Sequence, residues 1–288
     1  MPEEGRDRAP GVLVLAPHPD DAEIGVGGIL LRLRGLGLRV RVLGLSEGEK
    51  GTRQPRGKTR REEAEEALAR HGVEPRWGGF PDGGLAEKEE EILSFAASEI
   101  ADFRPLAVFA PSPLDPHPDH AAAGRVCRRL ARRFAGEGGE PGRARGGGPL
   151  PGDGRERGLP EGSGACRFWL WSDPDLREEP THLFVIDGVF EEKLAWVRAH
   201  ASQIPGPGES RAHLPGGLDI LERVRRRDGR CGRRAGRRAA EPLREARGGD
   251  ARGLLVLEDV EALLAGPRDG PGAFEPSRRE GRCRGSRF

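Results

Sequence analysis

The run Gly-Val-Leu-Val-Leu-Ala at residues 11–16 is apolar at every position and stops at Pro17. A strand with one wet face would alternate. A run with no polar position belongs in a strand covered on both faces, the kind that builds parallel sheets. From 22 to 34 the apolar residues Ile24, Ile29, Leu30 and Leu33 fall at helical spacing. The alternation continues, with strands at 40–45, 106–110 and 183–186 and helices at 59–71, 87–103, 119–134 and 190–200. In the helix at 59–71, Arg60, Arg61, Glu62, Glu63, Glu65 and Glu66 read as solvated, while Ala64, Ala67 and Leu68 pack. Strands alternating with helices predict an α/β fold, Rossmann-like, with a mostly parallel sheet and helices on both faces. Ligands in such folds bind beyond the carboxyl ends of the strands.

Only 35% of the 288 residues are hydrophobic, and Gly and Pro number 45 and 25. A single packed domain is therefore expected to be diluted by segments that pack poorly. Residues 1–10 read as a disordered N-terminus, 11–135 as the catalytic core, and 166–222 as the remainder of the domain. Between them, 136–165 holds 12 Gly and 4 Pro and reads as a flexible insertion. The stretch 223–288 reads as a poorly packed, Arg-rich C-terminal region, with 12 Arg between 223 and 252.

A net charge of +1 removes general attraction to nucleic acid or anionic membrane. No aromatic residues interleave with the arginines of 223–252 to stack on bases. Cys127, Cys166, Cys231 and Cys283 form no CxxC pair, which suits a reducing compartment. No apolar run approaches the ~20 residues that span a bilayer, so a cytoplasmic protein is expected.

Two tripeptides carry the chemistry. His18-Pro19-Asp20-Asp21 follows the first strand, and His117-Pro118-Asp119-His120 follows the strand at 106–110. Composition gives roughly 0.03 His-Pro-Asp tripeptides by chance in a chain of this size, a low false-positive rate for a motif. A catalytic zinc takes three protein ligands, commonly two His and a carboxylate, and keeps a fourth position open. His18 and Asp21 leave one strand end in a tight turn, and His120 can complete the set from a neighbouring strand end. Imidazole with carboxylate favours zinc over magnesium or calcium, with iron, cobalt and manganese as substitutes. Asp20 is then the candidate general base. His117, if protonated, would stabilise an oxyanion or protonate a leaving group. Together these groups describe hydrolysis of an amide or ester.

The four segments His18-Pro-Asp-Asp-Ala-Glu-Ile-Gly25, Gly48-Glu-Lys-Gly-Thr-Arg53, Pro81-Asp-Gly-Gly-Leu85 and His117-Pro-Asp-His120 resemble, in order and spacing, the zinc-dependent PIG-L/LmbE-like N-acetylglucosamine deacetylases. The likeness runs from about residue 11 to 203. It implies a Rossmann-like fold, one Zn2+ per chain bound by His18, Asp21 and His120, Asp20 as base and His117 on the oxyanion side. It also places Arg53 and Asp82 against the substrate, a small-molecule GlcNAc conjugate, and leaves a homo-oligomer open. The Asp-Asp-Ala-Glu-Ile-Gly form and the Gly-Thr-Arg stretch look most like the bacillithiol-biosynthesis branch, whose substrate is GlcNAc-malate. A guanidinium at Arg53 suits the carboxylates of malate. Glu23, Glu49, His182, His200 and His213 read as structural or solvated, although His200 sits in a stretch that recurs in the family. Gly25, Gly27 and Gly28 read as sites of close helix packing. Two other functions stand beside this one: a phosphoesterase using the same ligands with two metals, and a non-catalytic module binding RNA or an acidic partner through the arginines.

Overall fold

A computed structural model of the chain describes residues 10–51, 57–135, 166–172, 179–205, 218–246, 255–258 and 263–264. The predicted alternation is present. Strand β1 (Gly11–Ala16) leads into α1 (Asp21–Gly35), β2 (Arg39–Ser46), α2 (Arg60–Arg70), β3 (Glu74–Phe80), α3 (Glu89–Phe103), β4 (Ala107–Pro111) and α4 (Pro118–Ala135). Then follow β5 (Arg167–Trp171), β6 (His182–Val185), α5 (Phe190–Arg198), α6 (Ile220–Arg234), β7 (Ala240–Glu245) and β8 (Leu255–Leu257).

All eight strands form one sheet in the order β3-β2-β1-β4-β5-β7-β6-β8. The first five run parallel. β7 is antiparallel to both its neighbours, and β8 is parallel to β6. β1 sits inside the parallel half, and its pleat divides the core. Val12, Val14 and Ala16 join α1 and α5 on one face, while Leu13 and Leu15 join α3 and α4 on the other. All five side chains are fully buried, which is why the run tolerates no polar residue. The described helices include none long and apolar enough to cross a membrane.

The C-terminal expectation needs correction. Residues 223–246 are not a loose arm, because α6 packs Val224 and Cys231 inward and β7 lies inside the sheet between β5 and β6. The boundary placed after 222 cuts through a helix. Small residues do much of this packing and leave little hydrophobic signal. A Cβ at Gly232 would lie 2.5 Å from the backbone of Ala239 and Arg238, so helix and strand cross in near contact there. Charge is also buried with its partners. Lys193, Arg227, Asp228 and Glu241 are each fully buried. Lys193 Nζ donates to Asp228 and to Glu241 at 2.6 Å each, and Arg227 Nε donates to Asp228 at 2.7 Å. Of the N-terminal disorder expected at 1–10, residues 1–9 lie outside the described residues, as do the insertion at 136–165 and nearly all of 247–288.

Candidate metal and catalytic site

The carboxyl ends of β1, β2, β3 and β4 converge at one edge of the sheet. Beyond β1, residues 17–20 turn directly into α1. Between β1 and its parallel neighbour β4 the chain order of the sheet reverses, the position where open α/β sheets bind ligands. His18 and Asp21 arrive from β1, and His120 arrives on the first turn of α4 after β4.

Three donor atoms meet there. His18 Nδ1 lies 3.1 Å from Asp21 Oδ2 and 3.3 Å from His120 Nε2, and His120 Nε2 lies 3.2 Å from Asp21 Oδ2. A tetrahedral zinc with bonds of ~2.0–2.1 Å separates its ligand atoms by ~3.3–3.4 Å. The spacing therefore fits one such ion. The remaining ring nitrogens fit as well. His18 Nε2 lies 3.2 Å from Asp82 Oδ1 and 3.3 Å from Asp119 Oδ2, and His120 Nδ1 lies 3.2 Å from Asp115 Oδ2. A carboxylate on the far nitrogen of each imidazole fixes its tautomer and leaves the near nitrogen free to bind a metal.

A second grouping, His18 with His117 and Asp119, also has its donor atoms within 4.8 Å of one another. Asp119 is engaged elsewhere, because Gly83 donates its N–H to Oδ2 at 2.6 Å and Leu85 to Oδ1 at 3.1 Å. The His18–Asp21–His120 set is the better open site.

The electrostatics favour a cation at this point. Burial alone would depress the His18 pKa, but hydrogen bonds to Asp119, Asp21 and Asp82 push it up to about 12. Against the same burial penalty, Asp21 and Asp115 push His120 up to about 10. The neighbouring His120 and His18 hold Asp21 well below the usual carboxylate range despite its burial. Asp82 is lowered to about 2, chiefly by His18, with burial opposing and the Lys50 N–H assisting.

Beside the three donors lie the two residues read as catalytic. Asp20 is buried, and its Oδ1 accepts a hydrogen bond from Arg60 Nη2 at 2.7 Å. Among the described residues Oδ2 accepts none. The His117 ring is exposed, with its centroid 4.9 Å from those of His18 and His120. Its Nδ1 accepts the Asp119 N–H at 3.2 Å, which leaves Nε2 to carry the proton. Burial, together with the charges of His120 and His18, lowers its pKa, so the neutral ring already offers a donor.

Of the two expected substrate contacts, Arg53 lies outside the described residues, as does His213. Asp82 is brought to the site, with Oδ1 on His18 and Oδ2 accepting the Lys50 N–H at 2.9 Å. Glu49 holds this turn by accepting the Asp82 N–H at 2.8 Å. His200 is buried, with Nε2 3.1 Å from Glu23 Oε1. A Cβ at Gly25 would fall 2.5 Å from Trp171, so this glycine serves close packing. Sequence reasoning missed Asp115, which lies just ahead of the second His-Pro-Asp segment, and misread Arg60 as solvated.

The family described as PIG-L: GlcNAc-PI de-N-acetylase matches residues 13–131. Diacetylchitobiose deacetylase of Thermococcus kodakarensis is 32% identical over 211 residues, 67% of this chain and 70% of that protein. A crystal structure of a conserved protein of Thermus thermophilus superimposes with a TM-score of 0.61 at 28% identity, covering 81% of this chain and 92% of the other. The N,N'-diacetylchitobiose deacetylase of Pyrococcus horikoshii, solved with its inhibitor, gives 0.59 at 26% identity, with coverage of 84% and 86%. On these grounds the chain belongs to the PIG-L family.

Proposed function

We propose that this chain hydrolyses the acetamide of a GlcNAc conjugate, with one zinc ion held by His18, Asp21 and His120, Asp20 as general base and His117 as oxyanion donor. The matching family model and the two diacetylchitobiose relatives are deacetylases, and the chain is an amidohydrolase acting on N-acetyl C–N bonds. The observation that supports the site assignment is the set of three donor atoms 3.1–3.3 Å apart, with Asp20 between His18 and Asp21 in the chain.

Zinc, when bound there, supplies Lewis acidity and a water acidified towards a pKa of ~7. Asp20 Oδ2 takes the proton as the water oxygen adds to the acetyl carbon. Negative charge develops on the acetyl oxygen, and the His117 Nε2–H stabilises it. Asp20 then passes its proton to the amide nitrogen. The C–N bond breaks, and acetate and a free amine leave.

The finer substrate assignment is a carboxylate-bearing aglycone, as in GlcNAc-malate. Its support is the Gly48-Glu-Lys-Gly-Thr-Arg53 stretch, in which Arg53 would hold a carboxylate bidentately. Asp82 is the expected acceptor for a sugar hydroxyl. Acetate release by the zinc-loaded enzyme from GlcNAc-malate, GlcNAc, a GlcNAc-inositol and N,N'-diacetylchitobiose tests the reading. Fastest release from GlcNAc-malate is expected. Faster release from diacetylchitobiose would move the substrate to that sugar, and no release from any would overturn deacetylation of GlcNAc conjugates. Elemental analysis separates the phosphoesterase alternative, which calls for two metals per chain rather than one.

A further inference from the structure

α6 turns Val224, Arg227, Asp228, Cys231 and Gly232 inward, and its outer face is almost wholly arginine. Arg225, Arg226, Arg230, Arg233 and Arg234 are exposed, and Arg237 and Arg238 continue the run past the helix end. The acidic residue of α6 that is not buried is Glu222. Arg226, Arg230 and Arg233, at i, i+4 and i+7, line up over about 10 Å of helix. The whole chain carries a net charge of only +1. Near-neutrality removes a general attraction to polyanions and leaves this local one.

Packing does not account for the face. Arg225, Arg230 and Arg233 have no carboxylate partner among the described residues. Arg226 pairs with Glu222 at 2.9 Å, Arg234 with Glu179 at 2.9 Å, and Arg237 and Arg238 with Glu258 and Glu191. All four carboxylates are solvent-exposed, so these pairs are weak and exchange readily for a phosphate. Like charges at i and i+4, as in Arg226 with Arg230, destabilise a helix. A bound polyanion would relieve that repulsion.

The residue types narrow the partner. A helix docked in a bilayer offers apolar side chains to it, and α6 keeps its own inside the fold. Protein interfaces are anchored by large apolar or aromatic residues, and single strands by aromatic stacking. Residues 225–238 hold no aromatic and no large apolar side chain. Glu179, Glu191 and Glu258 stand beside the arginines, so a broad anionic plane would meet carboxylates that a narrow phosphate track can miss. Guanidinium groups hold phosphates bidentately, and such contacts carry no sequence information.

We propose that the outer face of α6 docks the phosphate backbone of duplex nucleic acid, independently of its sequence. This function is separate from the deacetylation and does not rest on it.

The test is fluorescence anisotropy of the whole chain with a labelled DNA duplex of about 20 base pairs. Affinity should fall about 10–100-fold between 50 and 200 mM salt, as for a few phosphate contacts. A duplex of shuffled sequence should bind within about threefold. Replacing Arg226, Arg230 and Arg233 by Gln together should weaken binding at least about tenfold and make the salt slope shallower by about 3. The same change at Arg125 and Arg129, on α4, should leave binding within about twofold.

No duplex binding at low salt would overturn the proposal. So would equal binding by the α6 triple variant, which would move the contact to another basic segment. Tighter binding of a single strand, of anionic vesicles or of an acidic peptide would replace duplex nucleic acid with that partner. Should the triple variant not fold, Arg230→Glu alone changes one exposed side chain. It should weaken binding at least about threefold, and unchanged affinity would count against the role.

Discussion

Glu241 accepts the backbone N–H of Gly28 at 2.8 Å, across 213 residues of chain. The contact exists because α1 is broken at Val26, whose φ of −138° and ψ of 19° are not helical. Such a break leaves backbone groups without helical partners. The second oxygen of Glu241 accepts the Ile29 N–H at 2.8 Å, and Arg227 Nη2 donates to the Ile24 carbonyl at 2.6 Å. α6 and β7 thereby complete the helix that begins at Asp21, the proposed metal ligand.

Glu241→Gln removes one charge from a buried set that is otherwise balanced by Lys193, Arg227 and Asp228. Leaving a buried charge uncompensated costs about 3–5 kcal/mol. Denaturant unfolding should show a loss of this size. A change below about 0.5 kcal/mol, the size of an ordinary surface substitution, would show that the cluster does not support the fold.

The parallel half of the sheet was legible because its strands are covered on both faces. Residues 11–16 carry the signal without interruption, and the two His-Pro-Asp segments stand immediately after strands. What stayed hidden is buried charge. Arg60, Arg227 and Glu241 look solvated in sequence because their partners Asp20, Ile24 and Gly28 are far away in the chain. β7 reads Ala-Glu-Pro-Leu-Arg-Glu, with neither alternation nor β-branched residues, yet it lies between two strands. β3 was missed because its residues are half-exposed and include Pro75, Gly78 and Gly79.

Asp82 distinguishes two roles by one measurement. If its carboxylate mainly orients His18, Asp82→Asn should weaken zinc affinity about 10–100-fold, with KM little changed at saturating zinc. A large rise in KM at unchanged zinc affinity would instead establish it as the sugar contact.

Asp20→Asn and His117→Ala should both retain zinc at wild-type stoichiometry. Loss of the proposed base should lower kcat about 10²–10⁴-fold, and loss of the proposed oxyanion donor about 10²–10³-fold. Loss of zinc from either variant would move that residue from the chemistry to the coordination.

His182 gives a pH signature outside the site. Burial and the nearby Arg167 lower its pKa to about 4, against an ordinary 6.5. The unfolded chain therefore takes up a proton that the folded chain refuses. The stability tied to the neutral ring is complete above pH ~6.5 and is lost as the pH falls towards 4. His182→Gln, measured by unfolding at pH 6.5 and 4.5, should lose less stability over that interval than the wild type. Equal losses would contradict the lowered pKa.

Metal content of purified His120→Ala beside the wild type bears most directly on the coordination centre. The account requires about one zinc per wild-type chain and almost none in the variant at equal protein concentration and matched folding. Full zinc occupancy in His120→Ala would contradict it.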